Sequence, residues 1–272
     1  KKIANQEADL ARTAGREKLR RYGDIITTNF YAMSRGQSVL RAQDYYDPAC
    51  PEVDIPLDPL LTPQQNAARY YKDYKKAQKA EEMLTLQIEK NRGELDYLDS
   101  VLQMITLSEG DRDLQEIRQE LMDNGYLKQH RRKMTAKGKQ KIVHAKPLEF
   151  RSSGGLTILV GKNNSQNDRL THREADKRDL WLHAQKLHGS HVILKTGGLP
   201  PDERSLTEAA MLAAWFSQGR DSGQVPVDYT PVKAVKKPAG AKPGYVIYHT
   251  YQTLYVTPDE ETVRTLRGRK KN

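Results

Sequence analysis

The chain is predicted to be an α+β protein, in which a long antiparallel helical hairpin precedes a mixed sheet-plus-helix C-terminal domain. Three observations predict this: a proline-free run of about forty residues after Pro63 with apolar positions three and four apart, a looser helical pattern upstream of it, and short strand-like runs after residue 147.

Residues 1 to 34 carry a seam through Ala4, Ala8, Ala11, Leu19, Tyr22, Ile26 and Met33, closed by Gly36 where a C-terminal cap belongs. Lys1 opens in mid-helix without a start signal, so the sequence reads as a piece of something longer. Residues 37 to 61 hold SVLRAQDYY and EVDIPLDP, two runs of β character flanked by prolines, which predict a small structured tip near 36–62. Thr62-Pro63-Gln64-Gln65 then supplies an N-cap, a proline at the first helical position and a capping-box glutamine.

The long helix places Ala67, Tyr70, Tyr74, Ala77, Glu81, Leu84, Ile88, Asn91, Leu95, Leu98, Leu102 and Ile105 along one seam. At about 1.5 Å per residue it reaches roughly 60 Å, and Glu81 and Asn91 interrupt the seam as polar residues that could fix register. The exposed heptad also permits self-association. A shorter helix over 113–122 puts Leu114, Ile117 and Leu121 on one face.

Charge divides the chain unevenly. Residues 1–127, read as the arm, hold 18 Lys and Arg against 22 Asp and Glu; the linker 128–146 holds 8 basic and no acidic residues; residues 147–272 hold 19 against 13. A polyanion therefore belongs on the linker and the C-terminal domain, where Arg131, Arg132 and Lys133 add unspecific attraction. No run approaches the roughly 18 apolar residues of a membrane span, and no apolar leader opens the sequence, which predicts a cytoplasmic location without membrane contact. Cys50 alone excludes an internal disulfide framework.

The C-terminal domain carries the candidate site. Strand-like runs at 156–160 and 179–184 flank a polar turn, Gly161-Lys162-Asn163-Asn164, that leads into a helix near Asn167; outward N–H groups and the helix dipole there would suit a phosphate. Alternation along 179–183 puts Asp179, Trp181 and His183 on one face with Leu180 and Leu182 in the core, and the next strand offers Ser190, His191 and Lys195. Aromatic rings beside cations suit bases and phosphates. A helix over 201–220 and strands over 226–235, 245–250 and 253–256 complete the domain, with Lys233 on the first of these strands and Lys236, Lys237 and Lys242 on the acid-free loop KKPAGAKPG. His172, His183, His188 and His191 lack metal-ligand spacing, and no cofactor is expected. A hydrolase built on His183, His191 and Asp179 lacks a nucleophile elbow, and no catalytic residue is assigned.

The runs VGKNNSQNDRLT, DLWLHA, GSHVIL, VPVDYTPVKAVKKPAGAKPG and TLYVTPDE resemble the RNA-binding module of the NFACT family (the RqcH/NEMF group), and YGDIITTNFY with IPLDPLLTPQQNAARYYKDYKKA resembles its coiled-coil arm. The resemblance implies a factor of ribosome-associated quality control. Such a factor binds large ribosomal subunits holding stalled peptidyl-tRNA, touches the stalk base with the arm, and recruits alanyl-tRNA so that the ribosome appends an alanine tail. Family members are also catalogued as FbpA/PavA-type fibronectin-binding proteins, which implies a fibronectin- or fibrinogen-binding adhesin as the alternative. The family's NFACT-N domain, with its Asp-Arg pair needed for tailing, and its helix-hairpin-helix domain have no expected counterpart here, so RNA and ribosome binding without tailing is the expectation.

Overall fold

Helix α3, Pro63–Thr106, begins as its capping residues dictate: the Thr62 N–H donates to Gln65 Oε1 at 2.9 Å and the Gln65 N–H donates back to Thr62 Oγ1 at 3.2 Å. It belongs to a computed structural model that describes residues 1–128 and 145–268. The chain divides into two compact units, residues 1–95 and 96–272, and α3 contributes to both.

In the first unit, α1 (Lys2–Thr13) and α2 (Arg16–Thr28) replace the single upstream helix expected from the seam. The break falls at Ala14-Gly15, where glycine costs a helix interior about 1 kcal/mol relative to alanine. Both helices run antiparallel to α3. Lys2 and Gln6 bond to Asn91 and Gln87, Arg92 pairs with Glu7, and Arg16 pairs with Glu81. Glu81 and Asn91 thus meet polar partners across the hairpin, and the Asn91 amide donates to Gln6 Oε1 at 2.7 Å.

A 3-10 turn, Phe30–Ala32, leads to an antiparallel hairpin of β1 (Val39–Gln43) and β2 (Glu52–Pro56). Leu40 and Ile55 sit opposite each other in its register and bury against Ile25, Ile26, Leu57 and Ala67, forming the tip's own core. Asp24 accepts hydrogen bonds from the hydroxyls of Tyr46 at 2.5 Å and Tyr71 at 2.6 Å. The hydrogen bond to Asp24 is the main cause that pushes the Tyr46 pKa up to about 12. Gly23 permits close approach, since a Cβ there would lie 3.0 Å from the Tyr71 ring and the ring would have to shift.

In the second unit, six strands form one antiparallel sheet in the order β3-β4-β6-β5-β7-β8. They are β3 (Leu148–Arg151), β4 (Thr157–Val160), β5 (Leu180–Ala184), β6 (Val192–Leu194), β7 (Val225–Pro231) and β8 (Gln252–Val256). Helix α6, Glu203–Trp215, lays Ala209, Ala210, Ala213 and Ala214 on one face of the sheet, against Leu182, Ala184, Val192, Leu194 and Val227. Small residues let the helix backbone approach the strands closely. The other face holds Trp181 and Ile193, covered by Leu170, Val232 and Val235.

Several sequence readings need correction here. The last third of the α3 seam is out of phase by one residue: Tyr97, Val101 and Met104 are buried with Ile117, whereas Leu95, Leu98, Leu102 and Ile105 are exposed. Helix α4, Asp111–Asp123, buries Ile117 but leaves Leu114 exposed. Its buried face also carries Asp113 and Glu120. Strand β3 and a C-terminal helix α7, Glu260–Gly268, were not expected, and the expected strand over 245–250 reduces to an isolated bridge between Lys236 and Ile247.

Candidate nucleic-acid interface

The polar turn and the helix it opens, α5 (Asn164–Arg169), were expected to receive an anion, and the anion they meet is a carboxylate of the protein itself. The Ser165 N–H donates to Glu120 Oε2 at 2.7 Å, while the Lys162 and Gln166 N–H groups are taken by Gln166 Oε1 and Asn163 Oδ1, both at 2.7 Å. Helix α4 presents Asp113, Glu116 and Glu120 three and four residues apart, on one helical face. Lys162 Nζ reaches Asp113 at 2.8 Å, the Asn163 amide reaches Glu116 at 2.8 Å, and the Tyr97 hydroxyl caps Glu120 Oε1 at 2.8 Å. Burial, with Glu120 beside it, pushes the Tyr97 pKa upward. Asn164 bonds to Ser100 Oγ, and Asn167 ties the turn to the sheet by accepting the His191 N–H at 3.1 Å. Gly161 is obligatory because any Cβ there would collide with Asn167 Oδ1.

The aromatic and histidine face is largely covered rather than presented: Trp181 and His191 are buried and His183 is half-buried. Trp181 is 0% exposed, stacked on His183 with centroids 5.5 Å apart and edge-on to His191 at 5.2 Å, with Tyr248 packed against it at 4.9 Å. The alternation of residues 179–183 holds, but a core lies on each side of β5, so both of its faces are covered rather than one facing solvent. Ser190 is buried and donates its N–H to the Phe216 carbonyl, and His191 Nδ1 bonds with Thr171 Oγ1 at 2.8 Å. Burial pushes the His183 pKa down to about 4 and holds that of His191 well below its usual value. Both rings are neutral near pH 7 and attract no phosphate by charge. Trp181 Nε1 has no hydrogen-bond partner among the described residues.

The lysines separate into two kinds. Lys242 lies over the rings of Tyr97 and Tyr126, 5.3 and 4.8 Å from their centroids, and Lys237 pairs with Asp168 at 2.8 Å. Lys195, Lys233 and Lys236 are exposed, and none makes an ion pair among the described residues. Lys195 and Lys233 stand at the end of the sheet where β6 and β7 finish, away from the Gly161 turn. Arg131, Arg132 and Lys133 lie outside the described residues. The α4 carboxylates were missed, although their spacing on one face of an amphipathic helix was visible in the sequence. No group of three or more His, Cys, Asp or Glu side chains that could hold a metal occurs among the described residues, and no helix there is long and apolar enough to cross a membrane.

Residues 1–140 match the family model of the NFACT N-terminal and middle domains, and residues 146–250 match that of the NFACT protein RNA binding domain. The chain belongs to the NFACT family. Within that family, it is 41% identical over 267 residues to the Rqc2 homolog RqcH of Bacillus subtilis and 42% identical over 271 residues to that of Streptococcus suis. These alignments cover 98% of this chain but 46% and 47% of the relatives, so the NFACT chain spans about half the length of the curated proteins it matches. Among solved structures it is similar to the C-terminal part of the fibronectin/fibrinogen-binding protein of Streptococcus suis, with a TM-score of 0.74 and 35% identity over 97% of this chain and 90% of that one.

Proposed function

We propose that this NFACT chain is the RNA-binding part of a ribosome quality control factor that works in the cytoplasm on large ribosomal subunits. The observation that carries the reading is the match of residues 146–250 to an RNA-binding domain, on a chain similar to RqcH over nearly its whole length. In this reading the tip, with Tyr31 and Leu60 strongly exposed, is the contact surface for the stalk base of the large subunit. The C-terminal domain grips tRNA, which in the complete factor is alanyl-tRNA delivered for alanine tailing. Peptide bonds form by the ribosome's own chemistry, and the protein supplies position and charge; no residue here is assigned a catalytic step.

Binding of the 272-residue chain to tRNA and to purified large subunits, measured from about 50 to about 200 mM salt, tests this. Affinity is expected to fall steeply and log-linearly with salt as counterions are released. Absence of binding to either partner at the lower salt would sink the reading. A second reading, a fibronectin- or fibrinogen-binding surface protein, rests on the name of the similar solved structure. Salt-resistant binding of nuclease-treated protein to purified fibronectin, without RNA binding, would favour it.

A further inference from the structure

The end of the sheet opposite the Gly161 turn gathers cations that the protein does not use. The Lys195 N–H donates to the Thr157 carbonyl at 2.9 Å and the Lys233 N–H to the Lys177 carbonyl at 3.1 Å, so the ends of β4 and β6 and the segments flanking β5 and β7 meet there. Neighbouring strands are about 4.8 Å apart, which places the ends of β6, β5 and β7 within about 10 Å of one another. Lys177, Arg178, Lys195 and Lys233 are all exposed at this end.

Four carboxylates near this end are already engaged, while Glu203 in the first turn of α6 is exposed to solvent. Asp176 pairs with Arg178 at 3.1 Å, and Asp179 is buried and accepts the N–H groups of Thr196 and Gly197, both at 2.9 Å. Asp202 caps α6 through the Ser205 N–H, and Glu208 takes the Ser153 N–H and hydroxyl. Lys177, Lys195 and Lys233 are left without an ion pair among the described residues. Beside them the loop 195–201 is held stiffly. Besides the two bonds to Asp179, the Gly198 N–H donates to Thr196 Oγ1 at 3.2 Å, the Leu199 N–H closes a turn onto the Thr196 carbonyl at 3.2 Å, and Gly198 packs against the Arg178 side chain with φ +90°. Leu199 is 75% exposed on this loop. Unpaired lysines fixed on strand ends, next to an apolar side chain on a rigid loop, match what a single RNA strand offers: phosphates in sequence, with a ribose or unpaired base between them.

The geometry points to this end of the sheet, with Lys177, Lys195 and Lys233 at its centre, as the phosphate-binding site for an RNA strand, and to Leu199 as its apolar contact with an unpaired nucleotide. It rests on the RNA-binding reading above and specifies where that binding occurs. The test compares the 272-residue chain with a Lys177→Gln, Lys195→Gln, Lys233→Gln variant and with a control, Lys75→Gln, Lys76→Gln, Lys79→Gln, that removes equal charge from the exposed side of α3. The probe is unmodified bulk tRNA, titrated at several salt concentrations, with each variant's circular dichroism melt recorded alongside.

The strand-end variant is expected to bind at least about tenfold more weakly, with a salt slope reduced by about 2 to 3, while the control stays within about twofold of wild type. Leu199→Ser should weaken binding a few-fold and leave the slope unchanged. If wild type binds tRNA and the strand-end variant keeps its affinity and slope, the site is wrong and the RNA-binding reading stands. Equal losses in the control also overturn the site, because net charge alone would then explain them. If wild type binds no RNA, both conclusions fall together. Single Lys195→Gln and Lys233→Gln variants, each expected to lower the slope by about 1, decide the matter should the triple variant melt early.

Discussion

At the Gly161 end of the C-terminal sheet, the cations and N–H groups that face α4 and α5 are matched by the protein's own groups: Lys162 by Asp113, the Ser165 N–H by Glu120, Lys237 by Asp168 and Lys242 by two tyrosine rings, while Lys186 and Lys236 are exposed without an ion pair among the described residues. At the Lys195 end Asp176, Asp179, Asp202 and Glu208 are bound to backbone N–H groups, a serine hydroxyl or Arg178, and three lysines face solvent without an ion pair among the described residues. Lysines of one type therefore mean different things according to what stands beside them. The first end is a joint between α4 and the sheet, and the second is a surface with unspent charge. Partner geometry, rather than residue type, separates a structural cation from a binding one.

Trp181→Ala makes the strongest test of this contrast. Emptying the space of a fully buried indole should cost about 3–5 kcal/mol in chemical denaturation of the C-terminal domain. The tRNA affinity of the remaining folded protein should not change; a loss of affinity at full stability would return Trp181 to the binding surface. Glu120→Ala comes next. It strands the Tyr97 hydroxyl and the Ser165 N–H, and should lower stability by about 2–3 kcal/mol with RNA binding intact.

Acid probes the same side of the sheet. The His183 pKa is lowered from 6.5 to about 4 in the folded protein, mainly by burial, and that of His191 is lowered also. Below about pH 6.5 the unfolded chain binds protons that these folded rings refuse, so stability present at neutral pH is lost as pH falls. Each ring removes about 1.4 kcal/mol per pH unit, until the folded ring itself titrates. Melting curves from pH 7 to 5 should show the decline, and His183→Gln should flatten it. The smallest expected effect is Lys162→Gln, about 1 kcal/mol of stability from the partly exposed pair with Asp113, with an unchanged salt slope for tRNA. A slope reduced as far as in Lys195→Gln would erase the distinction between the two ends.

Local chemistry was the legible part of the sequence. The Thr62-Pro63-Gln65 signal places the start of α3 because all its interactions lie within four residues, and the strands at 39–43 and 52–56 stand out by their β-forming residues on either side of the Pro48 and Pro51 turn. What a single strand or helix meets across space was not legible. Residues 180 to 184 alternate in the same way whether one face of β5 is wet or both are covered, and only the fold shows a second core over Trp181. The α3 seam slips at Tyr97 because the helix there packs against Ile117 of α4 rather than continuing the heptad against α1. The turn at Lys162 does attract negative charge, as its N–H groups predict, but Glu120 arrives from 45 residues upstream and no local pattern announces it.

The chain of contacts in which Asn91 donates to Gln6 and Gln6 donates to Gln87, flanked by Lys2 and Arg92, gives the arm one preferred register. Sliding the two helices of the hairpin by a heptad would bring Gln6 opposite Leu84 or Leu98 and forfeit these polar pairs, so they favour the register seen over its neighbours.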